Sequence, residues 1–291
     1  MYNKALGIIK TLAPLHVGAT AGEESGNLNL IFRDQFTQTG IIPGSSIRGR
    51  LRSEMRANSN VNENYWYGNK ADSELSDKTS ESFVKIEYAS IVWLPVFCPG
   101  QPMVWVSSPR LLKRYQRIAG EFIKTEDGTL LKDLDIPQEY TRSQTLKPLS
   151  INQEEKLFFN FGFLTIKDSK DLSLWFPFGE ELPAVVVSDN EIGMIHDMAL
   201  YRQTRVSLEE QEKRAKKGQF FNTEALPEDT ILAFPIALRN DPNGGKWQPF
   251  NGENSAEIYL GGLESIGFGH CLVNIHGLEP PTDNQTNDVN Q

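Results

Sequence analysis

The sequence has only two cysteines, Cys98 and Cys271, and neither stands in a CxxC pair. That excludes a disulfide-stapled secreted fold, and reduced structural thiols in a cytoplasmic protein are the expectation. The four histidines are scattered without ligand spacing, so neither a zinc site nor a permanently bound cofactor is expected. No apolar run reaches the length that spans a bilayer, and the first residues lack the organisation of a signal peptide, so no membrane partner is expected. No internal repeat is visible. A basic surplus is missing as well: 29 Lys and Arg stand against 38 Asp and Glu, a net charge of −9. Free RNA-binding domains are usually basic, so nucleic-acid binding here requires segregated charge. Basic residues do collect at 48–56, 110–117 and 202–217, and acidic ones at 72–87, 121–139, 180–181 and 207–212.

What is present is ordinary globular composition, 39% hydrophobic and 23% charged over 291 residues. That length allows one core domain with large insertions. Alternation over 4–12 predicts a first strand with Leu6 and Ile8 on one face. Strands over 83–97 and 102–107 are joined by the turn Cys98–Pro102. Pro109 opens a helix closed by Gly120, with Leu111, Leu112, Tyr115 and Ile118 inward and Arg110, Lys113, Arg114 and Arg117 outward. Strands return at 157–166, 184–188 and 230–238, and 257–275 reads as strand, glycine-rich turn, strand. The segments 58–82 (a long loop), 121–155 (irregular) and 190–229 (charged) read as insertions, and 277–291 as a disordered tail. The expected fold is α+β, a ferredoxin-like (modified RRM) core over 1–275 carrying these insertions.

Thr39–Met55 is the densest motif. The strand end Ile41-Ile42 meets Pro43-Gly44, and Ser45-Ser46 open a helix at Ser46. Ile47, Leu51 and Met55 form a buried stripe; Arg48, Arg52 and Arg56 form a second one, with Arg50 off both. Helix-start amides, glycines 44 and 49 and arginines 48, 50 and 52 make a phosphate cradle suited to a nucleic-acid backbone. A capped helix with solvated arginines gives the same pattern. Near the other end, Gly261, Gly262, Gly267 and Gly269 crowd one turn. Their spacing and the lack of a following helix exclude a dinucleotide fingerprint. A tight hairpin and a loop pressed against an RNA backbone both fit.

Residues 42–52, Ile-Pro-Gly-Ser-Ser-Ile-Arg-Gly-Arg-Leu-Arg, resemble the signature of the CRISPR RAMP superfamily, which also carries a C-terminal glycine-rich loop. Four further blocks are similar to one branch, the repeating backbone subunit of the type III-B (Cmr) effector: Leu12–Gly18, Ser90–Phe97 with Met103–Leu112, Tyr201–Val206, and Gly218–Phe221 with Glu224–Pro227. The resemblance covers most of 5–275. It implies a subunit that polymerises along a guide RNA, with copies of itself, target RNA and other effector subunits as partners. It also implies a thumb-like hairpin, placed within 195–223, that flips out one base per subunit, with Arg33, Arg202 and Arg205 at the RNA. Antiviral defence is the implied setting.

The same branch carries an aspartate, required for metal-dependent target cleavage, before an Arg-acid pair. Arg33-Asp34 match the pair, but the aspartate position falls on Asn29, or on Asn27 given the gap, and the proline between is missing. Asparagine is neither a general base nor a charged Mg²⁺ ligand. Own nuclease activity is therefore in doubt, with Mg²⁺ needed only if cleavage is active. Glu23 and Glu24 are the alternative acids. The resulting expectation is a guide-RNA-binding backbone subunit. The competing readings are an active target-RNA endonuclease of the same complex and a stand-alone guide-RNA processing enzyme using His16, which otherwise packs at a strand end or touches RNA. The other histidines, His196, His270 and His276, show no partners in the sequence.

Overall fold

Residues Tyr2–Thr11 form β1, and the alternation within them sets the layers. Leu6 and Ile8 enter one apolar cluster; Ala5 and Ile9 enter another on the opposite side. The computed structural model describes residues 2–18, 28–57, 63–69, 81–101, 103–208, 215–243 and 245–278. After β1 come β2 (Leu28–Asn29), β3 (Ile41–Ile42), α1 (Gly44–Ala57) and α2 (Glu63–Tyr67). Next are β4 (Val84–Ile86), β5 (Ala89–Val96), β6 (Val104–Ser107) and α3 (Pro109–Ala119). The middle holds β7 (Thr141–Ser143), β8 (Leu149–Ile151), β9 (Glu154–Phe159), β10 (Gly162–Thr165), β11 (Asp168–Lys170) and β12 (Ala184–Val186). The chain closes with α4 (Ile192–Ala199), β13 (Tyr201–Leu208), β14 (Ala215–Ala225), β15 (Ile231–Arg239), β16 (Ser255–Tyr259) and β17 (His270–His276).

Among the described residues the main sheet runs β11-β7-β12-β6-β5-β15-β1-β17-β16, with β3 beside β5 and β4 beside β15. Its centre, β5-β15-β1-β17, is antiparallel throughout. The molecule is thus α+β, but two features depart from a plain ferredoxin-type layer pair. No second crossover helix joins β15 to β17 among the described residues; β16 pairs with β17 instead. The two longer helices also cover opposite faces. α1 buries Ile47, Leu51 and Met55 with Ala5, Ile9 and Phe234, whereas α3 buries Leu112, Tyr115 and Ile118 with Leu6, Ile8 and Ala233. Residues 172–176 complete the α3 side, where the Phe176 ring lies 4.5 Å from Trp93, stacked, and the indole N–H of Trp93 donates to the Trp175 carbonyl.

The insertions carry more structure than their polarity suggests. Within 58–82, α2 docks Trp66 and Tyr67 into the core. The 121–155 stretch contributes β7 to the main sheet and β8 to a separate sheet, β10-β9-β8. The expected single strand over 157–166 is the hairpin of β9 and β10. The 190–229 segment is α4 followed by the antiparallel hairpin β13–β14, and β2 adds to β14 in parallel. The tail from residue 279 onward, the hairpin tip and Glu23, Glu24 and Asn27 lie outside the described residues. Cys98 and Cys271 are both buried and unbridged, and no described helix is long and apolar enough to cross a membrane.

Candidate nucleic-acid interface

α1 begins at Gly44, two residues earlier than the serine pattern suggested. The amides of Ser46 and Ile47 already donate to the Pro43 carbonyl, at 3.0 and 3.3 Å, so Ser45 and Ser46 sit in the first turn and are not caps. With Gly49 and Arg50 they form one wall of a groove of about 440 Å³. Tyr259, Gly261, Gly262 and Glu264 line it as well. The two glycine-bearing motifs, far apart in sequence, meet because the chain leaving β1 runs between them. The Gly262 amide donates to the His16 carbonyl and the Gly269 amide to the Pro14 carbonyl, both at 2.9 Å.

The glycines divide into two groups. A Cβ at Gly44 would stand 2.3 Å from the Ile86 carbonyl oxygen, at Gly261 2.2 Å from that of His16, and at Gly269 2.2 Å from that of Leu260. Those three are accounted for by internal packing. Gly49 and Gly267 would meet nothing within 4 Å, and Gly262 only the edge of His16 at 4.0 Å. Gly49 is the informative one, because a mid-helix glycine weakens a helix and here relieves no contact among the described residues.

The arginines divide too, and this corrects the cradle. Arg48 lies against the Tyr67 ring, 5.6 Å from its centroid, and donates to the Tyr67 carbonyl. Arg52 donates to the Asn64 side chain and, at 3.0 Å, to the Gly68 carbonyl. Arg56 pairs with Glu63 at 2.8 Å. The 48–52–56 stripe therefore fastens α2 to α1, placing cations at the C-terminal carbonyls of a short helix. Arg50 remains in the groove, 2.5 Å from Glu54 and 3.8 Å from Glu264. Tyr259, which motif reading missed, is a half-exposed ring at the rim, stacked on His270 at 5.1 Å. Its signal was the alternation Glu257-Ile258-Tyr259, which buries Ile258 and turns the other two outward. Glu257 in turn lies 3.0 Å from His270 Nε2.

At the root of the β13–β14 hairpin, two arginines meet two carboxylates. Arg33 lies 3.0 Å from Glu224 and 3.1 Å from Asp197; Arg202 lies 2.9 Å from Asp197 and 3.2 Å from Glu224. Arg33 and Arg202, expected at RNA, are thus engaged in holding the hairpin. Desolvation pushes Asp197 upward, but hydrogen bonds from Arg33 and Arg202 outweigh it and keep its carboxyl below the usual range. Behind this cluster His196 is buried, and its Nε2 accepts from the Gly40 amide at 2.9 Å. Burial first, and the neighbouring Arg33 second, lower its pKa to about 3. His16 Nδ1 is 2.6 Å from the Glu224 carbonyl. A carbonyl only accepts, so the proton resides on Nδ1. Arg205 lies further out on β13, in register with Phe221.

Asn29 sits on β2 in register with Thr223, the residue before Glu224 on β14. The described residues there do not fit a Mg²⁺ ion. Asn29 is neutral, the carboxylates of Asp197 and Glu224 are each taken up by both guanidinium groups, and two cations oppose a third. Among the described residues no group of three or more His, Cys, Asp and Glu gathers at metal-binding distance.

Comparison with curated protein sequences returned no match. Solved structures do match along nearly the full length. A chain of the type III-B Cmr-β complex in its apo state superposes with a TM-score of 0.66 at 17% identity, covering 94% of this chain and 97% of the other. A chain of the Cmr-β complex bound to cognate target RNA gives 0.65 at 16%, covering 94% and 96%. Oligomeric Cmr4 from Pyrococcus furiosus gives 0.62 at 19%, covering 94% and 98%. At such identities the likeness is one of fold. The sequence itself matches the model of one family over residues 8–271, a span that takes in the α1 groove, the hairpin and most of the central sheet, and the chain belongs to that family, the RAMP superfamily.

Proposed function

We propose that this chain is a guide-RNA-binding backbone subunit of a type III CRISPR ribonucleoprotein, holding guide and target RNA in antiviral defence. The observation that carries the reading is Gly49: a helical glycine with nothing within 4 Å of its Cβ position, facing a groove beside Ser45, Ser46 and Gly262. A backbone phosphate there meets the Gly49 backbone and the Ser45 and Ser46 hydroxyls, with the helix macrodipole behind them. Arg50 is the cation at hand, and it exchanges the distant Glu264 for the phosphate. Tyr259 offers a ring to a base. The β13–β14 hairpin acts as the thumb that unstacks bases. The similar structures include one bound to cognate target RNA and one that is oligomeric, which supports RNA, copies of this chain and other effector subunits as partners.

Target cleavage by this chain is slow or absent, because Asn29 and its arginine-bound neighbours offer no free carboxylate. The test is chemical probing of the assembled complex on matched RNA, followed by incubation with Mg²⁺. Regularly spaced hyper-reactive bases with little cutting are expected. Uniform reactivity along the RNA would reject the backbone reading. Strong periodic cutting would establish the active endonuclease instead.

A further inference from the structure

On α3, Arg110, Lys113, Arg114 and Arg117 stand at i, i+3, i+4 and i+7, so they share one face along about 10 Å of helix. With Lys4 and Lys132 they line a groove of about 590 Å³. α3 packs on the sheet face opposite α1, so this groove and the α1 groove lie on different sides of the molecule. Its carboxylates are engaged. Asp34 accepts from the amides of Phe36 and Thr37 at 2.9 and 2.8 Å, and Glu121 lies 3.7 Å from Lys4. Arg114 is held in place by Ser90, the Tyr88 carbonyl and the Tyr88 ring. Among the described residues the side chains of Lys113, Arg117 and Lys132 make no hydrogen bond or ion pair.

Into the same groove projects Phe36, 76% exposed, with the Arg110 guanidinium 5.9 Å from its ring centroid. Cations alone suit an acidic polypeptide or a nucleic acid equally. A bare aromatic ring among them selects the second, because every base has a face to stack on it. We propose that this groove is a second single-stranded RNA surface, with backbone phosphates on Lys113, Arg117 and Lys132 and a base stacked on Phe36. Phosphate contacts and stacking carry no sequence code, so binding there is sequence-tolerant.

The experiment titrates the full-length chain with a fluorescein-labelled oligouridylate over a range of salt concentrations. In Lys113→Gln/Arg117→Gln/Lys132→Gln the slope of log K against log salt should fall by about 2, roughly 0.7 per lost phosphate. Phe36→Ala should weaken binding about fivefold or more at unchanged slope. Both losses should recur in a Gly49→Leu background, which blocks the α1 groove. Were the α1 reading wrong, Gly49→Leu would be inert while the α3 losses persisted. Lysine acetylation of the unsubstituted chain gives a readout independent of folding: RNA should protect Lys113 and Lys132. An unchanged slope in the folded triple variant, or equal acetylation with and without RNA, overturns the proposal. Lost self-association with RNA binding intact also overturns it and makes the groove a protein-docking face.

Discussion

Single positions carry opposing demands. Gly49→Ala should stabilise the free chain by about 0.5–1 kcal/mol, since it removes a glycine from a helix at a site with room for a methyl group. The same methyl should weaken RNA binding, so thermal melting and RNA titration should move in opposite directions; unchanged RNA affinity would detach Gly49 from the interface. Asn29→Asp tests the other residue-scale claim. It keeps side-chain size and should leave RNA affinity intact, while adding the carboxylate missing beside Thr223. Were that carboxylate the sole deficit, Mg²⁺-dependent target cleavage would rise about 10²–10⁴-fold over the native complex, measured by product length on matched RNA; with Arg33 and Arg202 in place, a smaller gain is expected. No gain would mean that more than this carboxylate is missing. At this scale the sequence was half legible. Ile47, Leu51 and Met55 showed the buried stripe, and the structure buries all three. The Arg48–Arg52–Arg56 stripe was equally visible, yet its partners were not, because they are the carbonyls of Tyr67 and Gly68 and the side chains of Glu63 and Asn64, in a segment whose polar surroundings read as loop.

At the scale of elements, the β13–β14 hairpin and its root behave as separable parts. Thr204 and Asn222 face each other across the hairpin, with the Thr204 hydroxyl 2.8 Å from the Asn222 side-chain oxygen. Replacing 205–221 by a short glycine linker should preserve the Arg33–Asp197–Arg202–Glu224 root and the core. Bound RNA should then lose its periodic base reactivity; persistence of the period would place the flipping element elsewhere. The root also sets an acid limit. His196 is neutral when folded, with a pKa near 3 against about 6.5 unfolded. Below about pH 6.5 the unfolded chain binds a proton that the folded one does not, so stability falls as pH falls toward 3, by up to about 1.4 kcal/mol per unit. Urea titrations between pH 7 and 5 should show this loss, and His196→Asn should flatten it; an identical slope in both would clear His196 of the effect. Nothing in the sequence announced this, because Gly40 and Arg33 reach His196 only through the fold.

For the molecule as a whole, the central strands β1, β5 and β15 decide stability. Leu6 is fully buried at the middle of β1, and Leu6→Ala should cost about 2–5 kcal/mol in chemical denaturation. A much smaller loss would mean that the site collapses around the gap. The α+β class, β1, the hairpin of β5 and β6, α3 with its inward residues and the closing strand pair could all be read from period and punctuation. The sheet order could not, nor could the assignment of α1 and α3 to opposite faces. Those depend on long-range pairing such as Leu6 with Pro235 and with His276, for which local pattern holds no signal. The opposite-face arrangement also bears on how the array of copies proposed above grows. The middle of the sheet is roofed on both sides, so copies cannot stack sheet upon sheet. One lateral edge, β11, is a three-residue Asp-Ser-Lys strand, short and charged in the manner that discourages edge-to-edge joining. On the proposed reading, growth then falls to helices, loops and the other edge, β16, along an RNA strand that has a direction of its own. An array built that way has a head and a tail, and its length is set by what it winds along and not by the sheet.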